Sequence, residues 1–191
     1  GLADHGQPSW AESFRQGFFH VLPLGLDHVL FVMGLFFYQR KLRPLLSQSL
    51  VFTLAHTLTL GLAAAGIVNV PGNWVEPWIA LSLVVVALEN LRPIQKVNPT
   101  VRLTVVFGFG LVHGLGFAGA LSSWVRPGNG FLTALLSANL GVEAAQAMLL
   151  AAAWALTLGW HGRSFYPPIR TMSCLAIAGM GGWLFFERIS G

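Results

Sequence analysis

The sequence predicts an all-α membrane protein: a six-helix transmembrane bundle with both termini on the extracytoplasmic side. Three observations carry this expectation. First, of 191 residues 54% are hydrophobic and only 9% are charged, with a mean hydropathy of +0.65. A soluble domain carries roughly 25% charged residues, so this chain cannot cover a water-facing surface. Second, six stretches approach or exceed the about 20 mainly apolar residues that a spanning helix needs. Third, the basic residues gather in alternate connectors. A soluble globular domain, a disordered chain and a coiled coil are thereby excluded. The net charge of +4 and pI near 10 do not indicate nucleic acid. The 11 Lys and Arg fall in short connectors, with no basic stripe interleaved with aromatics. The lone Cys174 leaves no partner for an intrachain disulfide and no thiolate cluster.

In order, residues 1–17 form a more polar extracytoplasmic segment, and 18–191 form the six-span domain. In the first segment Trp10, Phe14 and Phe18 recur every fourth residue with Glu12 and Arg15 between them. That pattern predicts a short amphipathic helix lying on the membrane surface. The spans follow as Phe18–Tyr38, Leu45–Ala65, Trp74–Leu91, Val101–Leu121, Phe131–Leu158 and Ile169–Phe186. Turn and helix-stop signals divide them at Arg43-Pro44, Pro71-Gly72-Asn73, Arg92-Pro93, Asn98-Pro99, Arg126-Pro127-Gly128 and Tyr166-Pro167-Pro168.

One set of connectors holds Arg40, Lys41, Arg43, Arg92, Lys96, Arg102, Arg163 and Arg170. The opposite side holds Arg15, Arg126 and Arg188. Basic loops face the cytoplasm, so both termini fall outside, in the inner membrane of a bacterium. Trp10, Trp74, Trp78, Trp124 and Trp183 then lie near the outer interface as an aromatic belt. An outside N-terminus fits an export signal removed before Gly1.

Ionisable groups inside a bilayer cost about 2.5–3.5 kcal/mol each at a helix centre. This chain has Asp27 and His28 in span 1, His56 in span 2, Glu89 in span 3, His113 in span 4 and Glu143 in span 5. Counting from the span midpoints puts His28, His56, His113 and Glu143 within about 3 Å of the midplane. His20 lies on the outer side, about 12 Å from His28 if span 1 is a continuous helix. Faces agree: Asn139, Glu143 and Gln146 share one side of span 5, and Ser49, Thr53 and His56 form a stripe on span 2. Pro23 offers a place for the first helix to start again. Gly110 and Gly114 in span 4 make a small-xxx-small pair that lets backbones approach around His113.

Histidines plus carboxylates, without cysteine or a methionine cluster, suit a divalent ion taking N and O ligands. Nickel, cobalt and zinc fit; Cu(I) fits poorly. The expected metal residues are His28, His56, His113 and Glu143, with Asp27 either ligating or orienting a histidine. Outer His20 and inner Glu89 complete a graded path, and Asn139, Gln146 and Thr53 give polar support. Single residues also have plain structural readings: an intramembrane polar group can simply bond a neighbouring helix, and Glu89 can pair with Arg92 one turn away. His5 and His161 read as solvated, and Glu76 and Glu187 as interface residues.

The chain resembles the HupE/UreJ family of membrane proteins, in its second, broader branch. The carrying segments, in order, are His20-Val-Leu-Pro-Leu-Gly-Leu-Asp27-His28, Phe52-Thr-Leu-Ala-His56-Thr, Val75-Glu76-Pro-Trp with Glu89-Asn90, Phe107-Gly-Phe-Gly-Leu-Val-His113-Gly-Leu-Gly and Asn139-Leu-Gly-Val-Glu143-Ala-Ala-Gln146. The family's first helix carries His-Pro-x-x-Gly-x-Asp-His. Here His20, Gly25, Asp27 and His28 match it with one extra residue before Gly25 and with Pro23 displaced. The resemblance implies nickel or cobalt uptake in support of metalloenzymes.

Three function classes follow. The first is a divalent-metal permease working without an ATP-binding motif, a non-enzyme whose partners are the metal ion, the lipid bilayer, a second copy of the chain and a metalloenzyme-maturation system. The second is an intramembrane zinc hydrolase using the same histidines with Glu143 as general base. The third is a structural subunit whose polar residues serve helix association.

Overall fold

Residues 8–93, 96–122 and 128–191 are described by a computed structural model, with side chains of 118–122 left aside. Seven helices and no strand occur among the described residues: α1 (Trp10–Val21), α2 (Leu26–Tyr38), α3 (Leu42–Ala64), α4 (Gly72–Asn90), α5 (Pro99–Ser122), α6 (Phe131–Thr157) and α7 (Tyr166–Ser190). Residues 1–7, with His5, and also Trp124 and Arg126, lie outside the described residues.

Five of the six expected spans correspond to α3–α7 within a few residues. Helix starts follow local chemistry. Ser9 caps α1 by accepting from the Glu12 N–H at 3.2 Å. Pro99 opens α5 and Pro167 lies in the first turn of α7, where a missing N–H costs nothing. Four helices are long and apolar enough to cross a membrane: α3, α5 over Pro99–Phe117, α6 and α7. Helix α4 is not among them: Asn73 and Glu76 at its start and Glu89 and Asn90 at its end shorten its apolar stretch.

Span 1 departs from expectation. The chain breaks between Val21 and Leu26, and α1 and α2 meet at 71°, so they are a broken span or a re-entrant pair rather than one straight helix. Helix α1 also runs through the expected boundary at residue 17. Its buried face is Ser13, Gly17 and Val21, not the aromatic stripe; Trp10 stays exposed. Small residues explain this. A Cβ on Gly17 would lie 1.8 Å from the Ala138 carbonyl oxygen, and one on Gly141 would lie 2.1 Å from that of Phe14. The two glycines let the α1 and α6 backbones touch, and Ser137 Oγ donates to the Trp10 carbonyl at 2.6 Å.

The core lies where α2, α3, α4, α5 and α7 converge, around Phe31, Leu35, Phe52, Leu83, Val106 and Ile177. The outside is also apolar. Leu46, Leu50, Leu54 and Leu58 form an exposed row on α3, each more than half exposed, and Leu132, Leu136 and Leu140 continue the theme on α6. Such rows are solvated by lipid tails. Together the long apolar helices and their lipophilic outer faces make this a multi-pass membrane protein.

Some basic residues counted as loop charges turn out to be structural. Arg102 is 1% exposed inside α5, where Nη1 meets Glu89 Oε2 at 2.5 Å and Nε donates to Gln48 Oε1 at 2.9 Å. Glu89 therefore pairs with Arg102, not with Arg92. Arg170 donates to the carbonyls of Phe37 and Asn90, both at 2.6 Å, and Arg40 to Trp154 O at 2.9 Å. These bonds satisfy carbonyls at the C-terminal ends of α2, α4 and α6 that the helices themselves leave open.

Candidate metal centre

The break after α1 builds the centre. His20 lies in the last turn of α1 and His28 in the first turn of α2. Between them the chain turns so tightly that a Cβ on Gly25 would come within 2.2 Å of the His20 carbonyl oxygen. Only glycine permits that approach. The turn folds His20 back onto His28, with ring centroids 4.7 Å apart. The expected separation of about 12 Å held only for a continuous helix. His20 is thus part of the cluster rather than a separate outer station, and it stacks on Phe117 at 3.6 Å between ring centres.

Helix α3 brings His56, whose ring lies 5.8 Å from that of His28 and 6.4 Å from that of His20. Helix α5 brings His113, 4.9 Å from His28. The α3–α5 approach depends on the small pair anticipated in span 4. A Cβ on Gly114 would stand 2.3 Å from the His56 carbonyl oxygen, and one on Gly110 would stand 2.6 Å from that of Phe52. One potential ligand atom from each of His20, His28 and His56 can be chosen so that all three lie within 4.8 Å of one another. That spacing admits a single metal ion.

Hydrogen bonds prepare these rings. Asn139 Nδ2 donates to the Leu135 carbonyl at 2.8 Å, so its Oδ1 faces His56 and can only accept. His56 Nδ1 therefore carries the proton, over 3.3 Å, and Nε2 is left with a free lone pair. Similarly, the Ser82 hydroxyl gives its one proton to the Ile79 carbonyl at 2.6 Å, so it accepts from His113 Nε2 at 3.0 Å. His113 Nδ1 then holds the lone pair. Orienting a metal-binding imidazole through its other nitrogen is the usual outer arrangement of metal sites. His20 Nε2, His28 Nε2, His56 Nε2 and His113 Nδ1 are all buried without a hydrogen-bond partner among the described residues. Buried polar atoms are normally satisfied, so unpartnered nitrogens on His20, His28 and His56, three histidines close enough to share an ion, point to a ligand, with His113 packed beside His28.

The three acids expected at the site, Asp27, Glu143 and Glu89, each have different partners. Asp27 Oδ2 accepts from Arg188 Nη2 at 2.8 Å, while Asp27 Oδ1 is buried and unpartnered. A cavity of about 480 Å³ is lined by His20, Asp27, His28 and His113, and also by Glu76 and Arg188. Glu143 belongs to a second polar strip. It accepts from Thr53 Oγ1 at 2.5 Å and from Ser49 Oγ at 3.2 Å, and Ser49 also approaches Gln146 Oε1 at 3.0 Å. Asn139, one turn from Glu143 on α6, bonds His56 and the Leu135 carbonyl. Glu89 lies beyond it, in the Arg102 pair.

Two participants escaped the sequence reading. Ser82 was visible as a lone hydroxyl amid the apolar residues of α4. Arg188 was visible only as a terminal charge, because its partner Asp27 lies 161 positions earlier.

No curated protein and no solved structure matches the chain. The family model described as HupE / UreJ protein matches residues 2–188, nearly the whole chain, including every segment that shapes the histidine cluster. The chain belongs to the HupE / UreJ family.

Proposed function

We propose that this protein carries a divalent metal ion, nickel or cobalt, across the inner membrane of a bacterium. The observation that supports this is the cluster of His20, His28 and His56, each with a buried unpartnered nitrogen and with ligand atoms close enough together to share one ion. Neutral nitrogen donors without thiolate suit nickel, cobalt or zinc, and the choice of nickel or cobalt follows the family resemblance. In this reading the ion enters by the cavity lined by Asp27 and Glu76. It is held by His20, His28 and His56, with His113 as the fourth nitrogen and Asp27 as the nearest carboxylate. It then passes Asn139 and the strip of Thr53, Glu143, Ser49 and Gln146 toward the end of the bundle that holds Glu89 and Arg102.

The basic residues gathered at that end favour placing it in the cytoplasm, with both termini outside and α1–α2 counted as the first of six spans. Transport is then downhill or coupled to an ion gradient, and the cargo serves metalloenzyme maturation. A hydrolase would use Glu143 beside a zinc-bound water. That reading is less favoured, because the Glu143 carboxylate is occupied by the Thr53 and Ser49 hydroxyls.

The test is uptake by liposomes containing the purified protein and a nickel- or cobalt-sensitive dye. Loading above protein-free liposomes, lost in His56→Ala, is expected. Equal signals with and without protein would overturn the proposal.

A further inference from the structure

The cavity beside the histidines holds a cation of its own. Arg188 reaches from the last turn of α7 to two other helices. Its Nη2 meets Asp27 Oδ2 at 2.8 Å, its Nη1 donates to the Glu76 carbonyl at 3.0 Å, and its Nε lies 3.9 Å from Glu76 Oε2. Asp27 is thus divided: one oxygen is held by the guanidinium, while the other is buried, unpartnered and one residue from His28.

A carboxylate with one closed and one open oxygen, beside unpaired imidazoles, is poised between two cations. The side chains of Arg188 and Asp27 are 19% and 21% exposed, so the pair sits at the cavity mouth and not in the dry core. A side chain from a terminal helical turn can swing to water without unpacking the helix.

We infer that Arg188 is a tethered counter-cation which occupies Asp27 until a divalent metal ion displaces it. This rests on the metal-transport reading above. The exchange leaves each of the two carboxylates with a cation partner. Without metal, Asp27 and Glu76 are neutralised in part by the guanidinium. With metal, the ion takes Asp27, repels the guanidinium and sends it outward, still tied to Glu76. Arg188 therefore sets the affinity of the centre: it supports the empty protein and competes with the cargo, so the ion is held loosely enough to leave.

The test is calorimetric titration of nickel into purified wild-type protein and Arg188→Gln, alongside the thermal midpoint of each without metal. The substitution should lower the metal-free midpoint and tighten nickel binding about tenfold, as loss of a repelling positive charge close to a divalent ion implies. Arg188→Lys, which keeps the charge, should stay within about twofold of wild type, and Arg188→Gln placed on Asp27→Asn should tighten nothing further. Should Arg188→Gln not fold, the same displacement is read in wild type: the Arg188 Nε–H resonance, assigned by its absence in Arg188→Lys, should shift on saturation with diamagnetic zinc. Wild type that binds nickel with an affinity unaltered or weakened in Arg188→Gln, or a resonance unmoved by zinc, overturns the inference alone. Wild type that binds no divalent ion overturns the transport reading with it.

Discussion

Two buried polar regions of this molecule solve the same problem in opposite ways. At one end Arg102 is buried at the junction of α3, α4 and α5. Its charge is met by Glu89, its Nε by Gln48, and its guanidinium lies 4.5 Å from the Tyr38 ring centre, leaving Nη2 unpartnered. Charge is matched by charge, and apart from Nη2 the guanidinium is tied up within the protein. At the histidine cluster, four imidazoles meet with no carboxylate bonded to any of them, and each keeps one nitrogen open. Asn139 and Ser82 hold one side of His56 and of His113 respectively and leave the other nitrogen of each ring free. Burial of polar groups therefore has two meanings here. A network bonded within itself holds helices together; one left open on its inner side waits for a ligand.

This contrast can be broken from either side. The largest effect is expected from His56→Ala. Removing an inward nitrogen should lower nickel affinity by more than about 100-fold, beyond the range for loss of an orienting partner, while thermal unfolding shows the bundle still assembled. Arg102→Met should do the reverse. It leaves the half-buried Glu89 without its partner and should cost about 2–4 kcal/mol of stability, toward the lower end for a broken buried pair, read by denaturant unfolding in detergent, with nickel affinity of the surviving folded protein unchanged. Asn139→Ala and Ser82→Ala release the ring orientation and should weaken nickel binding about 10–100-fold, measured by calorimetry. Gly114→Ala should have the smallest effect on binding but a measurable one on stability. The added methyl meets the His56 carbonyl oxygen at 2.3 Å, so α3 and α5 must part, at about 1–3 kcal/mol by unfolding.

Local chemistry and tertiary geometry divide what the sequence discloses. Apolar length and Pro or Gly punctuation place α3–α7, because those signals act within a helix. The Asn139–Glu143–Gln146 face is likewise a matter of helical spacing, and the structure brings Asn139 and Glu143 into polar contact with α3. The break between α1 and α2 was only half legible. Pro23 and Gly25 signal an interruption, but the contact of Gly25 with His20 depends on how the chain folds back. Residue counting along a straight helix therefore placed His20 far from His28. Ion pairs were the least legible. Arg102 and Arg188 have the same composition signal as loop arginines, and their partners are chosen by packing between helices, 13 positions away for Arg102 and 161 for Arg188. The charge asymmetry that orients the spans keeps its sign when Arg102 is removed from the count.

The central claim is that the open imidazole nitrogens hold one divalent ion. The most direct measurement is anomalous difference density at the nickel edge from crystals of the protein grown with nickel. The account predicts one strong peak between His20, His28 and His56, with imidazole nitrogens at about 2.0–2.1 Å if nickel follows zinc–nitrogen distances. Crystals saturated with nickel that show no peak in the cluster, or a peak only at exposed residues elsewhere, would contradict it.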